Sequence, residues 1–179
     1  TLPSIAGVNN QFLPTDGNGI TNWRTVMPVV RLGPGGSMPP VSSFATLDVR
    51  AGGSTPNEAV TVLDFDDASD EFIDWKVVLP INYTGGGLTA RYKFTATTAS
   101  NGGVLWSGGF RTMVNADDVD VSHTYDYNNQ AMTVASVAGV VATGSILFAS
   151  GSDMDSLSAG DEFIYRTRRF STDSGDTAD

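Results

Sequence analysis

The chain has 179 residues, a formal net charge of −10 and a pI near 4.3, which argues against generic binding to nucleic acid or to an anionic membrane, because both require a basic surface. Its length is enough for one domain with a core, since a chain of this size buries roughly 70% of its unfolded surface on folding. The absence of cysteine excludes disulfides, thiolate metal sites and cysteine nucleophiles.

The acidic residues are strongly biased toward aspartate. Only Glu58, Glu71 and Glu162 are glutamates, so 17 of the 20 acidic residues are Asp. Aspartate favours turns and caps over helix interiors, and the 20 glycines point the same way. No window approaches the ~18 consecutive apolar residues of a membrane helix, and the first residues lack the layout of a signal peptide. We therefore expect a soluble, turn-rich chain without surface helices and without a membrane partner.

Residues 1–43 differ in character from the rest of the chain. They carry six of the eight prolines and show no helical or strand period, yet they are too apolar for a flexible linker. Two interpretations stay open: a coil that wraps its own domain, or an extended arm that drapes over a neighbouring subunit and buries apolar side chains there. The candidate contact residues of such an arm are Phe12, Leu13, Trp23, Val29 and Leu32.

From residue 44 onward, short apolar or alternating runs are separated by Gly, Asn, Asp and Ser, which is typical of strands joined by turns. The predicted strands are 44–51, 59–65, 74–81, 87–97, 103–114, 122–127, 130–137, 144–150 and 161–170. Regular short strands predict an all-β sandwich or barrel over residues 44–179.

The segment VLDFDDASDEFIDWKVVLPINY, residues 62–83, places five aspartates and a glutamate between two apolar runs. It fails as an EF-hand, because a loop that starts at Asp64 has Ser69 in place of the glycine and Trp75 in place of the bidentate glutamate. A looser calcium site stays open because calcium coordination is adaptable. Its candidate ligands are Asp66, Asp67 and Asp70.

A catalytic carboxylate pair in this segment is hard to support, because nothing local in the sequence fixes the separation that glycoside hydrolysis needs. Residues 69–71 instead resemble the start of one short helical turn with acidic groups at its N-terminus, and Phe72 and Trp75 would lie on the buried side. We interpret the segment as a capped, solvated connection between two core strands.

Alternation is clearest over residues 88–97. The side chains predicted to face inward are Leu88, Ala90, Tyr92, Phe94 and Ala96, and those predicted to face outward are Thr89, Arg91, Lys93, Thr95 and Thr97. The next strand repeats the scheme, with Val104, Trp106, Phe110 and Val114 inward and Arg111 outward. Gly108-Gly109 predicts a bulge or a close backbone approach, and Asn128-Asn129 predicts a two-residue hairpin turn.

Cations are absent between Arg111 and Arg166, a stretch that contains eight acidic residues. The basic residues gather on predicted strands that could be neighbours, namely Arg91, Lys93, Arg111, Arg166, Arg168 and Arg169. Two explanations stay open: cross-strand ion pairs, and head-to-tail electrostatic complementarity between identical subunits. Under the second, Arg91, Lys93, Arg111 and Arg168 are candidate interface residues.

His123 is the only histidine, so a metal site of several histidines is excluded and a Ser-His-Asp triad would have to use this residue. No nucleophile elbow, P-loop or dinucleotide-binding glycine motif occurs. We interpret His123 as a structural or surface residue, and we predict that the chain is not an enzyme and needs no cofactor.

Residues 63–176 resemble a group of tailed-phage virion proteins that includes capsid decoration (cement) and fibre-associated subunits. The resemblance lies in LDFDDASDEFIDWKVVLPINYTGGGLTARYKFTATTASNGGVLW and SLSAGDEFIYRTRRFSTDSGDT. The matching residues are Phe65, Asp66, Asp70, Glu71, Leu79, Pro80, Tyr83, Gly85, Gly86, Gly87, Gly103, Trp106, Gly160, Asp161, Phe163, Arg169, Gly175, Asp176 and Thr177. A departure follows Thr177, because the family commonly continues with a further strand and this chain stops at Asp179.

The resemblance implies a jelly-roll β-sandwich of about eight strands that forms homotrimers and has no catalytic site. Its implied partners are the major capsid protein or other virion proteins, and its implied place is the capsid surface of a virion assembled in the host cytoplasm. Jelly rolls protect sheet edges in coat proteins, and closed three-fold assemblies suit an icosahedral surface.

Two functions from different classes fit these observations. The first is a structural virion subunit that stabilises the particle through trimerisation and contacts of the N-terminal arm. The second is a receptor- or carbohydrate-binding jelly-roll module of a tail fibre or spike, with exposed Trp or Tyr side chains as sugar platforms. Two of the three tryptophans, Trp75 and Trp106, are predicted to be core residues, which favours the first function.

Overall fold

The computed structural model describes residues 11–12, 24–25, 28–53 and 57–178. Over these residues the chain is an all-β antiparallel sandwich with two short 3₁₀ turns, Pro34–Gly36 and Ser152–Met154, and no α-helix. The prediction of fold class from the turn-rich composition is therefore confirmed. The described residues include no helix with the length and hydrophobicity that crossing a bilayer requires.

Eight strands of at least six residues carry the fold, and a two-residue pair precedes them. The strands are β1 (Gln11–Phe12), β2 (Arg24–Thr25), β3 (Thr46–Gly52), β4 (Glu58–Asp64), β5 (Glu71–Val78), β6 (Leu88–Phe94), β7 (Gly103–Met113), β8 (Asn128–Thr133), β9 (Ala142–Phe148) and β10 (Glu162–Arg169).

The main sheet has the strand order β5-β10-β7-β8, and β6 pairs with β9 in a second layer. Strands β3 and β4 form a separate hairpin, and β1 pairs with β2. All of these pairs are antiparallel.

The core lies between the main sheet and the β6–β9 layer. The hydroxyl of Tyr92 on β6 lies 2.6 Å from that of Tyr165 and 2.8 Å from Oγ1 of Thr167, both on β10. Phe110 and Phe148 add an edge-to-face contact across the layers, with ring centroids 4.9 Å apart. Burial raises the pKa of Tyr92 and raises that of Tyr165 well above its ordinary value. The layers are thus joined by aromatic rings and by hydroxyl hydrogen bonds, and burial favours the protonated form of both tyrosines.

The predicted alternation on β6 is confirmed, since its outward residues are exposed and its inward ones contact the core. On β7, Val104, Trp106 and Phe110 are buried as predicted, but the prediction for Val114 is wrong. Val114 follows the last residue of β7 and is 58% exposed, because it has already left the sheet.

The glycine pair of β7 marks a close approach and leaves the register with β10 continuous. A Cβ at Gly108 would lie 2.3 Å from the Tyr165 hydroxyl and 2.8 Å from the Phe148 ring. A Cβ at Gly109 would lie 3.2 Å from both the carbonyl oxygen of Asp126 and the ring of Tyr125. Core side chains therefore pack against one side of β7 at Gly108, and residues 125–126 pack against its other side at Gly109.

Three local predictions are wrong. The helical turn expected at residues 69–71 is absent, because β5 already begins at Glu71. Residues 122–127 are not a strand, since their backbone crosses the outer face of the main sheet without ladder pairing. Asn128 and Asn129 are not a hairpin turn but the first residues of β8, paired with Gly108 and Ser107.

Residues 28–45 run along the outer edge of β5. Met38 exchanges backbone hydrogen bonds with Asp74 at 2.8 and 3.1 Å, and the Trp75 indole N–H donates to the carbonyl oxygen of Gly33 at 2.9 Å. Leu32 packs against the core. This part of the predicted arm therefore wraps its own domain and covers an edge strand that would otherwise be open.

The C-terminal segment is anchored to β7 and β10 by a buried ion pair. The Arg169 guanidinium donates to both carboxylate oxygens of Asp176, at 3.0 and 2.8 Å, and the exposed fractions of the two side chains are 9% and 2%. Asp176 also accepts from the backbone N–H of Leu105 at 3.0 Å. Thr177 pairs its N–H and hydroxyl with the backbone of Gly103. The end of the described chain is thus part of the folded domain.

Candidate interaction surfaces

The three calcium candidates lie in the turn before β5, where the chain already uses two of them. One oxygen of Asp66 accepts the N–H groups of Ala68 and Ser69 at 2.7 and 3.0 Å, which lowers the pKa of Asp66. Asp70 accepts both the N–H and the hydroxyl of Thr172, at 3.1 and 3.0 Å. Within the described ranges, no three His, Cys, Asp or Glu residues are grouped so that they could hold a metal ion. Asp67 has no side-chain hydrogen bond of this kind, and the calcium site stays a prediction.

His123 lies over β7, at the edge of an open cavity of about 510 Å³. Its Nε2 is 3.2 Å from the carbonyl oxygen of Phe110 and 3.8 Å from a carboxylate oxygen of Asp155. That Asp155 oxygen already accepts the backbone N–H of Thr112 at 2.7 Å. In the part of the chain that the structure describes, no serine or threonine hydroxyl is hydrogen-bonded to the ring, so the nucleophile–base pair of a triad is not assembled.

The outer face of the main sheet carries arginines sandwiched by aromatic rings. Arg166 makes two hydrogen bonds of 2.7 Å to Asp74, its direct partner across the β5–β10 pair, and lies 4.6 Å from the Tyr125 ring centroid. Burial of the hydroxyl raises the pKa of Tyr125 to about 12. Cross-strand ion pairing is therefore confirmed for Arg166.

Arg168, an interface candidate, is used in the same way. Its guanidinium lies 3.8 Å from the ring of Phe170 and 4.7 Å from that of Tyr127, and 3.7 Å from a carboxylate oxygen of Asp70. Its side chain is 15% exposed, so most of its contact area already lies within the chain. Segment 122–127 thus closes over both arginines through Tyr125 and Tyr127.

The tryptophans of the described chain do not form sugar platforms. Trp75 and Trp106 are 8% and 7% exposed, as predicted for core residues. The Trp106 ring stacks on Tyr92 at 5.5 Å and meets the Phe65 edge at 4.9 Å. Trp23 lies outside the described residues.

The outer side of the β6–β9 layer is a basic face. Because residues directly opposite each other share a side of a sheet, Arg91 stands beside Ser145 and Lys93 beside Thr143. Both cations are exposed and form no ion pair with another described residue. We call this surface the basic face, and its residues are Thr89, Arg91, Lys93, Thr143, Ser145 and Leu147.

An acidic loop lies on the opposite side of the sandwich. It spans residues 114–126 after β7 and is held by Arg111, whose guanidinium donates to the carbonyl oxygen of Asp118 at 3.3 Å. Asp117 and Asp118 accept backbone N–H groups within the loop, whereas Asp120 and Asp126 are exposed and form no ion pair with a described residue. The loop also exposes three valines, Val114, Val119 and Val121.

The β3–β4 hairpin projects from the sandwich with both sides exposed over most of its length. On one side, Leu47 and Val49 are 60% and 54% exposed and line up with Leu63, which reaches the core at the base. On the other side, Arg50 pairs with Asp64 at 3.0 Å. An isolated two-stranded hairpin is only marginally stable in water. These two strands are predicted from the sequence, but no sequence pattern indicates that they leave the sheet together.

The arm candidates fall into three groups. Val29 is 78% exposed, so it remains open for a contact, whereas Leu32 is used by the chain's own core. The side chain of Phe12 and all of Leu13 and Trp23 lie outside the described residues.

Comparison of the chain with protein-family models, with curated proteins and with solved structures finds no match.

Proposed function

We propose that the chain is a non-enzymatic structural subunit of a tailed-phage virion, a capsid decoration protein that works as a homotrimer and binds the major capsid protein at the particle surface. The observation that carries this proposal is the projecting β3–β4 hairpin, whose apolar side continues the core surface beyond the domain. Such a surface needs a protein partner, because exposed contiguous apolar area in a folded chain marks an interaction site.

The strand pairing supports a sandwich of jelly-roll type. The pairs are nested along the chain: β7 pairs with β8, the strands that flank these two in sequence, β6 and β9, pair with each other, and the next two outward in sequence, β5 and β10, pair in turn. This nesting results when one long antiparallel ribbon rolls up into two layers, which is how jelly rolls protect their edges. The fold agrees with the resemblance of residues 63–176 to virion proteins.

The energetics favour docking through the hairpin. Complete burial of one Leu or Val side chain contributes about 1.5–3 kcal/mol, and Leu47 and Val49 are more than half exposed in the free chain. A homotrimer would present three such hairpins at once, so that weak single contacts add up through a high effective concentration. Many trimers bound in this way would stabilise the particle.

Cosedimentation with capsids of the phage that encodes the chain tests the proposal. The double variant Leu47→Glu with Val49→Glu places two charges on the apolar side of the hairpin. The matched control is Val60→Glu, which lies on the other side and is 59% exposed in the free chain. Circular dichroism and thermal melting verify that all variants fold, since none of these side chains is buried.

We expect wild-type chain and Val60→Glu to sediment with capsids and the double variant to stay in the supernatant. Truncation of residues 1–27 tests the arm separately, because it leaves the contacts of Gly33 and Met38 with β5 in place. If the wild-type chain binds capsids at none of the salt concentrations used, the proposed function is wrong.

A further inference from the structure

The basic face and the acidic loop are the two surfaces of opposite charge that the chain's own folding leaves unused. Of the described cations, Arg50, Lys76, Arg166, Arg168 and Arg169 form ion pairs within the chain. Arg91 and Lys93 form no ion pair with a described residue, and strands β6 and β9 contain no acidic residue. In a chain with a net charge of −10, two adjacent unpaired cations stand out against the prevailing charge.

The two surfaces also match in their apolar content. The acidic loop alternates its charges with exposed valines, among them Val119 and Val121, which are 66% and 58% exposed. The basic face exposes Leu147 by 71%, and the neighbouring loop before β9 exposes Val140 and Val141. A contact between the surfaces would therefore remove apolar area from water and bring opposite charges together, as interface cores with polar rims do.

Because the basic face and the acidic loop lie on opposite sides of the molecule, two subunits cannot exchange both contacts with each other in one two-fold symmetric dimer. The basic face lies on the outer side of the β6–β9 layer, whereas the acidic loop is fixed to Arg111 and Gly109 on the outer side of the main sheet. One molecule thus offers opposite charges on opposite sides of its sandwich. Repeated contacts of one side with the other are heterologous, and they close into a ring when the rotation permits.

We propose that the basic face binds the acidic loop of a second copy of this chain, so that Arg91 and Lys93 meet Asp120 and Asp126 of the neighbouring subunit. This inference rests on the proposed function, because it names the contact that builds the multimer. It involves other residues than the hairpin that docks on the capsid, so the two proposals fail separately. Electrostatic complementarity of this kind sets register and speeds association.

Charge reversal with rescue tests the contact. We would measure the solution mass by light scattering coupled to size exclusion for R91E/K93E, for D120K/D126K, and for the chain that carries all four changes. Each double variant sets like charges against each other, and the fourfold variant restores attraction with reversed signs. The control is R31E compared with R91E, because Arg31 is also exposed and forms no ion pair with the described residues.

We expect both double variants to fall to the mass of one chain, 18.8 kDa, and the fourfold variant to regain the wild-type mass. R31E should behave as wild type. R91E has lost part of the attraction across the contact, so it should dissociate at a lower salt concentration than wild type does. Salt acts through screening, since the Debye length falls from about 10 Å at 0.1 M to about 3 Å at 1 M. The neutral pair R91Q/K93Q keeps the test valid if a reversal disturbs folding, and it should also weaken association.

A wild-type multimer that is insensitive to R91E/K93E, or that is lost in both double variants and not regained in the fourfold variant, would overturn the proposed contact and leave the capsid function standing. A wild-type chain that is monomeric yet sediments with capsids would overturn both the proposed contact and the homotrimer, and would leave only the binding to capsids standing. If R91E/K93E keeps the wild-type mass but no longer binds phosphate or a nucleotide, the partner of the basic face is such an anion. That outcome also overturns the proposed contact.

Discussion

Replacement of Asp176 by alanine should be among the most destabilising single changes in this chain. The carboxylate accepts two hydrogen bonds from Arg169 and one from the Leu105 N–H, and its side chain is 2% exposed. Removal of one partner of a buried ion pair typically costs about 3–5 kcal/mol, because the other charge stays in a poorly solvated place. For a chain of this length that loss corresponds to a fall in melting temperature of roughly 6–20 °C.

The assay is urea unfolding followed by tryptophan fluorescence, with Trp75 and Trp106 as core reporters. The matched control is Glu162→Ala on β10, the strand that also carries Arg169; it breaks an ion pair to Lys76 of similar length, 3.0 Å, with side chains 46% and 43% exposed. Exposed pairs contribute about 0–1 kcal/mol, so the control should unfold almost as wild type does.

Replacement of both partners by apolar residues separates the loss of the attraction between the two charges from the cost of leaving one charge in a poorly solvated place. A variant with Arg169→Met and Asp176→Leu removes both buried charges together, so it should recover much of the stability that Asp176→Ala loses. Equal midpoints for Asp176→Ala and Glu162→Ala would refute the reasoning, since burial would then have no influence on the strength of the pair.

Three further predictions concern the core and the acidic turn. Because the pKa values of Tyr92 and Tyr165 are raised above the ordinary value of about 10, the unfolded state loses these protons first as the pH rises, so the contribution of the two tyrosines to the unfolding free energy should be constant below about pH 10 and fall above it; tyrosinate absorbance that rises before the loss of circular dichroism would contradict this. Gly108→Ala places a Cβ against the Tyr165 hydroxyl and should cost about 1–3 kcal/mol in urea unfolding, whereas Gly35→Ala, with open space around it, should stay near wild type. Since Asp66 already serves as an acceptor in its own turn, a chelator should leave the melting temperature unchanged, and a fall would show that the chain binds a metal ion.

Strand periodicity predicted the fold well where one side of a strand faces the core. On β6 the predicted alternation is correct, because Tyr92 and Phe94 are partly buried against the core while Arg91 and Lys93 are exposed. The same two-residue period misled the prediction at 122–127. There the inward residues are rings that pack on arginines of the sheet, so the pattern reports a covered face rather than a paired strand.

The spacing of Phe72 and Trp75 misled the prediction of a helical turn for a related reason. The two side chains lie on opposite sides of β5, since Trp75 enters the core and Phe72 packs outside beside Arg166 and Arg168. Both sides of β5 are covered from Phe72 to Trp75, so apolar residues occur at both parities there and the period of two is hidden.

The candidate surfaces were only partly predictable. The excess of cations on particular strands was visible, but which of them stay unpaired depends on partners far away in the sequence, such as Asp74 for Arg166. The projection of the β3–β4 hairpin depends on where the other strands end, and no local pattern records that.

The most direct test of the account is the mass of the wild-type chain in solution at micromolar concentration, measured by light scattering coupled to size exclusion. A subunit that builds a coat through contacts with its own kind should elute at three times the chain mass of 18.8 kDa and dissociate as salt is raised. A single species at the mass of one chain, unchanged with concentration and salt, would contradict it.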